Sequence, residues 1–176
     1  MNVWHYHTVL ASSGMDMDIP LFDAIVAKYR DRFVHEAGGT PRVFGSLCVP
    51  VAFGWAVSPR EKGEFFTTKD AVLVTDVQGN EIYVTGSNKA TLNAPLLVRM
   101  CQAFPKAKAI LHLHEQLPGV PTMPYAPPSM LDDGNRVIPG PVFNIEDHGF
   151  IACLDESMEI WLTCPRSGVD QIGGST

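Results

Sequence analysis

"AILHLHEQ", residues 109–116, sets two histidines one residue apart in a run that is otherwise apolar. Side chains alternate along a strand, so His112 and His114 leave one face with Cβ atoms roughly 6.5–7 Å apart, and Leu111 and Leu113 leave the other. The run therefore reads as a buried strand carrying a pair of imidazoles. Neutral imidazole is costly to bury without a partner. Two imidazoles at that separation can converge on one ion, and a third nitrogen would complete a site for zinc or another borderline divalent metal, with one position left open. Taken alone, an HxH pair is a weak motif whose default reading is a satisfied structural pair. His148 in "EDHGF" (146–150) is the best third donor, since Gly149 beside it permits close backbone approach. A second HxH, His5 and His7 in "WHYH" (4–7), lies in a stretch expected to fray and reads as non-ligating.

Outward from this strand the pattern alternates between helical and extended. "DMDIPLFDAIVAKYRDRFVHEAGG" (16–39) predicts an amphipathic helix capped by Asp16 or Asp18, with Pro20 in its first turn and Gly38-Gly39 as its stop. Leu21, Phe22, Ile25, Val26, Tyr29 and Phe33 form its apolar stripe. From residue 43 to about 85, short apolar runs and the "QGN" turn predict an antiparallel sheet. "LNAPLLVRMCQAFPKA" (92–107) returns to helical spacing through Leu92, Leu96, Met100 and Phe104, and Pro105 ends it. Residues 117–141 hold seven prolines and predict a long loop. "PVFNIEDHGFIACL" (141–154) predicts a strand pair, and "DESMEIWLTC" (155–164) a short helix capped by Asp155.

The 176 residues suit one domain, with an irregular start over about 1–17 and a loose tail over about 165–176. A net charge of −6 argues against nucleic acid or an anionic membrane as partner, and no apolar run approaches the length of a membrane span. No basic, apolar leader opens the sequence, and the reading is a cytoplasmic protein. Cys48, Cys101, Cys153 and Cys164 lack any CxxC spacing and read as buried thiols.

"PKAKAILHLHE" (105–115), preceded by a helix and followed some 30 residues on by "DHGFIACLDESMEIWL" (147–162), resembles the class II aldolase and adducin family, and within it the fuculose-phosphate aldolase branch. The likeness runs over roughly residues 20–164. It implies an α/β fold in three layers, α/β/α, with a central mixed, largely antiparallel sheet. It further implies that His112, His114 and His148 hold one catalytic Zn2+, with Fe2+, Mn2+ or Co2+ as alternatives, and that the chain forms a homo-oligomer, usually a tetramer, acting on a small-molecule substrate.

The resemblance breaks at the acid/base carboxylate, which the family carries nineteen residues before the first histidine of HxH. That position is Asn93, and an amide cannot take and return a proton near neutral pH. The phosphate-holding elements of the phosphosugar members are also incomplete in the nearest stretches, "VFGSL" (43–47), "TTKD" (67–70) and "TLN" (91–93). "VPTMPY" (120–125) resembles the segment in which the family carries a tyrosine that reaches into a site, often the neighbouring subunit's, as a proton donor, which would make that residue Tyr125. Glu115, Glu146 and Asp147 flank the histidines as replacement bases; Glu115 points away from His114 if the strand continues, and Glu146 shares the face of His148 if that strand is regular.

The expected activity is that of a divalent-metal, zinc-type lyase acting on a small unphosphorylated hydroxy- or oxo-carbonyl or carboxylate compound. Its reaction would be decarboxylation or retro-aldol cleavage through a metal-stabilised enolate. The alternatives are a non-catalytic, adducin-like binding or assembly module and an iron-dependent oxygenase on the same histidines.

Overall fold

The apolar run at 109–113 becomes an inner strand of a nine-stranded sheet. The structure is a computed structural model that describes residues 2–10, 18–62 and 66–161. In chain order its elements are β1 (His5–Leu10), α1 (Pro20–Lys28), β2 (Val34–Ala37), β3 (Thr40–Val43), β4 (Ser46–Val51), β5 (Gly54–Val57), β6 (Val72–Gln78) and β7 (Glu81–Gly86). There follow α2 (Ala94–Ala103), β8 (Ala109–Leu113), β9 (Thr122–Met123), α3 (Leu131–Gly134), β10 (Val142–Ile145) and β11 (Gly149–Leu154). The large sheet runs β1-β7-β6-β5-β4-β8-β11-β10-β9, and β2 and β3 form a separate hairpin. Only the two edge pairs, β1 with β7 and β9 with β10, are parallel. The other pairings in the sheet are antiparallel.

At β8 and β11 both faces of this sheet are buried, which is why these strands read as largely apolar runs rather than as alternating ones. On one face Leu96, Leu97 and Met100 of α2 pack on Ile110 and Ile151. On the other, Phe22 and Ile25 of α1 pack on Leu111 and Phe150. Each such fully buried side chain contributes about 1.5–3 kcal/mol relative to exposure. A helix on either side of a mixed, largely antiparallel sheet is the three-layer arrangement expected from the sequence. His112 shares the α2 face with Ile110, two residues before it, as strand alternation requires.

Several local expectations are corrected. Residues 5–10 are not irregular: they form β1, in register from His5↔Glu81 to Leu10↔Gly86. The helix expected through residue 37 ends at Lys28, and a 3-10 turn over Arg30–Phe33 leads into β2. Gly38 and Gly39 take φ of 63° and 80° between the paired Ala37 and Thr40. Two consecutive left-handed residues make a hairpin turn, so the glycines expected to stop a helix instead reverse a strand. No side chain caps α1, whose N-cap is Ile19. The helix expected after Asp155 is a turn: Asp155 Oδ1 accepts from Ser157 N at 2.8 Å and Glu159 N at 3.0 Å, and Met158 takes φ 61°. That left-handed residue cannot continue a helix. Cys48, Cys101 and Cys153 are buried, as expected. Asp16, Cys164 and the expected tail lie outside the described residues. Among the described residues no helix is long and apolar enough to cross a membrane.

Candidate metal centre

The C-terminal end of β8 and the start of β11 lie side by side, with Leu113 paired to Phe150. His112 is in β8, His114 follows two residues later and stands just past the strand, and His148 closes the turn before β11. Gly149 makes this closure possible. Its φ is 115°, and a Cβ there would lie 1.9 Å from the Leu113 carbonyl oxygen and 2.8 Å from Cα of His114. Only a residue without a side chain lets the two backbones meet this closely.

The three imidazoles consequently form a triangle. Ring centroids are 5.0 Å apart for His112 and His114, 5.0 Å for His112 and His148, and 4.9 Å for His114 and His148. One ring nitrogen from each lies within 4.8 Å of the others, a separation that one ion can span. His112 is fully buried, and its Nδ1 lies 2.9 Å from the carbonyl oxygen of Phe150. A carbonyl only accepts, so Nδ1 carries the proton and Nε2 presents its lone pair, the tautomer a metal needs. Nε2 of His112 and Nε2 of His148 are both buried without a hydrogen-bond partner. Buried polar atoms are rarely left so, and a cation between them satisfies both. Neutral imidazole donors also suit zinc and its neighbours among the divalent metals. The residues fit a metal ion.

Burial, followed by the mutual repulsion of neighbouring cationic charges, holds His112 well below the usual imidazole range. Burial, with His148, His35 and Lys62 adding to it, lowers His114 to about 4. His148 is lowered by burial and by Arg136. All three are therefore neutral imidazoles at neutral pH, the form in which a ring nitrogen can take a metal.

Asn93 sits at the N-terminus of α2, buried, and lines the same cavity as His114 and His148. Its Nδ2 donates to Ser46 Oγ at 3.1 Å, Ser46 Oγ lies 2.9 Å from Thr91 Oγ1, and its Oδ1 is buried without a partner. The Tyr125 ring lies 5.5 Å from that of His148 and is 51% exposed. Strand alternation does not carry from Glu146 to His148. The strand stops at Ile145, residues 146–148 form a turn with Asp147 at φ 55°, and Glu146 and Asp147 are exposed. Alternation applies only within a strand. Glu115 turns away from the site to pair with Arg32, whose Nε donates to it at 2.7 Å.

Four groups beside the histidines went unnoticed in the sequence. Phe44 stacks on His114 at 5.2 Å, and His35 of the β2–β3 hairpin lies 6.3 Å from the same ring. Arg60 and Lys62, after β5, line the cavity, and burial lowers the Lys62 amine to about 8. The His35 signal existed: "HEAGGT" (35–40) supports a hairpin as readily as a helix stop. Nothing in "SPREKG" (58–63) pointed inward. The cavity measures about 490 Å³, within the range that holds a small molecule.

No protein-family model matches the chain, and no curated protein matches it. Solved structures do. YgbL from Escherichia coli, a proposed aldolase/epimerase/decarboxylase, superposes with a TM-score of 0.56 at 16% identity, covering 76% of each chain. An L-fuculose 1-phosphate aldolase superposes at 0.54 and 18% identity, over 81% of this chain and 79% of that one. The N-terminal class II aldolase domain of a Thermoplasma acidophilum protein does so at 0.50 and 14% identity, over 87% and 88%. The chain has the class II aldolase fold, as the HxH and "HGFIAC" segments led one to expect.

Proposed function

We propose that the protein is a divalent-metal dependent lyase in which His112, His114 and His148 hold the ion, Zn2+ by preference. The observation that carries this is the triangle of neutral imidazoles with two buried, unpartnered Nε2 atoms. Bound there, a divalent cation supplies positive charge to adjacent carbonyl, hydroxyl or carboxylate oxygens, the stabilisation an enolate needs when a C–C bond breaks. The substrate class is a small unphosphorylated hydroxy- or oxo-carbonyl or carboxylate compound, in keeping with a cavity of about 490 Å³.

The chain's own groups define which reactions suit it. Asn93 can orient a substrate hydroxyl or carbonyl but cannot carry a proton. Glu146, Asp147 and Glu115 do not replace it, for the reasons of placement given above. Tyr125, half exposed with its ring 5.5 Å from that of His148, is our candidate to donate the proton taken up by the carbon from which CO2 leaves. Decarboxylation, which needs no base at the position of Asn93, fits this set better than steps that begin with proton abstraction. Phe44 stacks on His114 and covers one face of that ring.

Elemental analysis of the purified protein tests the reading. Stoichiometric divalent metal that is lost from folded His112→Ala and His148→Ala variants is the expected result. Folded protein that never carries metal, even after incubation with Zn2+, Fe2+, Mn2+ or Co2+, favours a binding or assembly module instead.

A further inference from the structure

The chain is acidic overall, at −6, yet three cationic side chains, Arg42, Arg60 and Lys62, line the cavity that also contains His114 and His148. The only carboxylate lining it among the described residues is Glu61, which is exposed. A local excess of positive charge in a negative molecule is a feature of the pocket and not of the surface at large. We propose that the substrate is a carboxylic acid whose carboxylate is seated by Arg60 and Lys62, with the exposed Arg42 adding attraction from outside. The proposal rests on the metal-centre reading and names the substrate class for it.

Arg60 is pre-positioned. Its Nε donates to the Ala90 carbonyl at 3.0 Å, and its guanidinium lies 5.1 Å from the ring centroid of Tyr6. Tyr6 is itself held, its hydroxyl 3.2 Å from the carbonyl oxygens of Thr91 and Leu92. Anchoring through Nε leaves the N–H groups of Nη1 and Nη2 to donate in parallel, a fork that matches the two oxygens of a carboxylate. Lys62, largely desolvated, regains with a neighbouring anion the stabilisation that burial has removed.

The hydroxyls of the cavity decide between carboxylate and phosphate. Ser46 Oγ and Thr91 Oγ1 share one hydrogen bond at 2.9 Å, while Ser46 Oγ accepts from Asn93 Nδ2 at 3.1 Å and Thr91 Oγ1 from the Asn93 backbone N–H at 3.4 Å, so the pair has one O–H left for a ligand. The other hydroxyl-rich stretch, Thr67–Asp70, is turned to α1, where Thr68 Oγ1 donates to Asp23 at 2.5 Å. A phosphate dianion needs many short donors around three oxygens, whereas a planar monoanion needs one fork and one ammonium.

The test uses metal-stripped protein, so that the ion cannot contribute, with malonate and inorganic phosphate as separate calorimetric probes. Malonate is expected to bind more tightly than phosphate, with at least a tenfold loss in Arg60→Gln and in Lys62→Met, a smaller loss in Arg60→Lys, and no loss in Lys106→Met, an exposed cation outside the cavity. Thermal melts identify any variant that fails to fold, and Arg60→Lys keeps the comparison open if Arg60→Gln is one. Malonate that ignores the folded stripped protein, an affinity unchanged by both Arg60 variants, or phosphate binding tighter than malonate each overturns the assignment. Malonate binding that depends on Arg60 in a protein unable to hold metal would instead defeat the metal reading and leave the anion seat standing.

Discussion

The Nδ1 of His112 lies 2.9 Å from the main-chain oxygen of Phe150 on the neighbouring strand. Because β8 and β11 are paired antiparallel at Leu113↔Phe150 and His112↔Ile151, this contact is set by sheet register rather than by a mobile side chain. It fixes the ring orientation and leaves one lone pair, on Nε2, for a ligand. His112→Gln is therefore expected to weaken metal binding by far more than the 10–100-fold typical of losing an orienting partner, because it removes the donor itself. Titration of stripped protein with Zn2+ measures this; binding within a factor of about 3 of the parent would exclude His112 as a ligand, against a tenfold change being about 1.4 kcal/mol.

The depressed histidines make an acid-side stability loss. A ring with a folded value of about 4 against an ordinary 6.5 binds fewer protons folded than unfolded between those limits. Stability is then fully present above about pH 6.5 and falls as the pH drops toward 4. Metal-free protein is expected to lose melting temperature across that interval, and His114→Gln should lose less because one of the resisting rings is gone. Equal slopes for parent and variant between pH 6.5 and 4.5 would show that His114 is not desolvated as described. Bound metal should be released over the same window, since protons and the ion compete for the same lone pairs.

What the sequence made legible follows from how local each signal was. The strand at 109–113 and its paired imidazoles came from alternation alone, and the helix at 94–103 from spacing and Pro105. The hairpin at 34–43 was missed because Gly-Gly stops a helix and turns a hairpin equally well; only the pairing of Val34 with Val43 separates the two. The charge of the cavity was hidden because Arg60 and Lys62 converge with His148 across nearly ninety positions, and tertiary pairing of β4, β5 and β8 brings them there. Glu146 misled because alternation was extended one turn beyond the strand.

Gly149→Ala is the sharpest test of the closure between β8 and β11. With φ at 115° and the Leu113 oxygen 1.9 Å from the new Cβ, the backbone must shift, and His148 moves with it. A destabilisation of about 3 kcal/mol or more is expected, from left-handed strain and a main-chain clash together. Gly140, with nothing within 4 Å of its Cβ position and an ordinary φ, is the control, and its alanine variant should stay within about 0.5 kcal/mol. Urea melts of the two variants decide, and equal midpoints would mean that the strands are farther apart than described.

Tyr125→Phe separates a proton donor from a surface ring packed beside His148. The ring is 51% exposed and 5.5 Å from that of His148, so removing one hydroxyl changes neither packing nor metal affinity appreciably. A turnover reduction of about 10²-fold with unchanged melting temperature and zinc content is the outcome expected of a general acid. A loss confined to KM would assign the hydroxyl to substrate binding, and full activity would return Tyr125 to the surface.

Asn93→Asp restores a carboxylate at the helix start, where the side chain is buried and hydrogen-bonded to Ser46 at 3.1 Å. In metal-free protein the new charge is poorly solvated, so a loss of about 1–3 kcal/mol is expected. In loaded protein the nearby cation offsets that cost, so the stability gap between the two forms should widen relative to the parent, and the pH–rate profile should gain an ionisation absent before. Differential scanning calorimetry with and without Zn2+ reads the first effect and steady-state kinetics the second. An aspartate variant indistinguishable from the parent in both would mean that the side chain at position 93 does not face the metal centre.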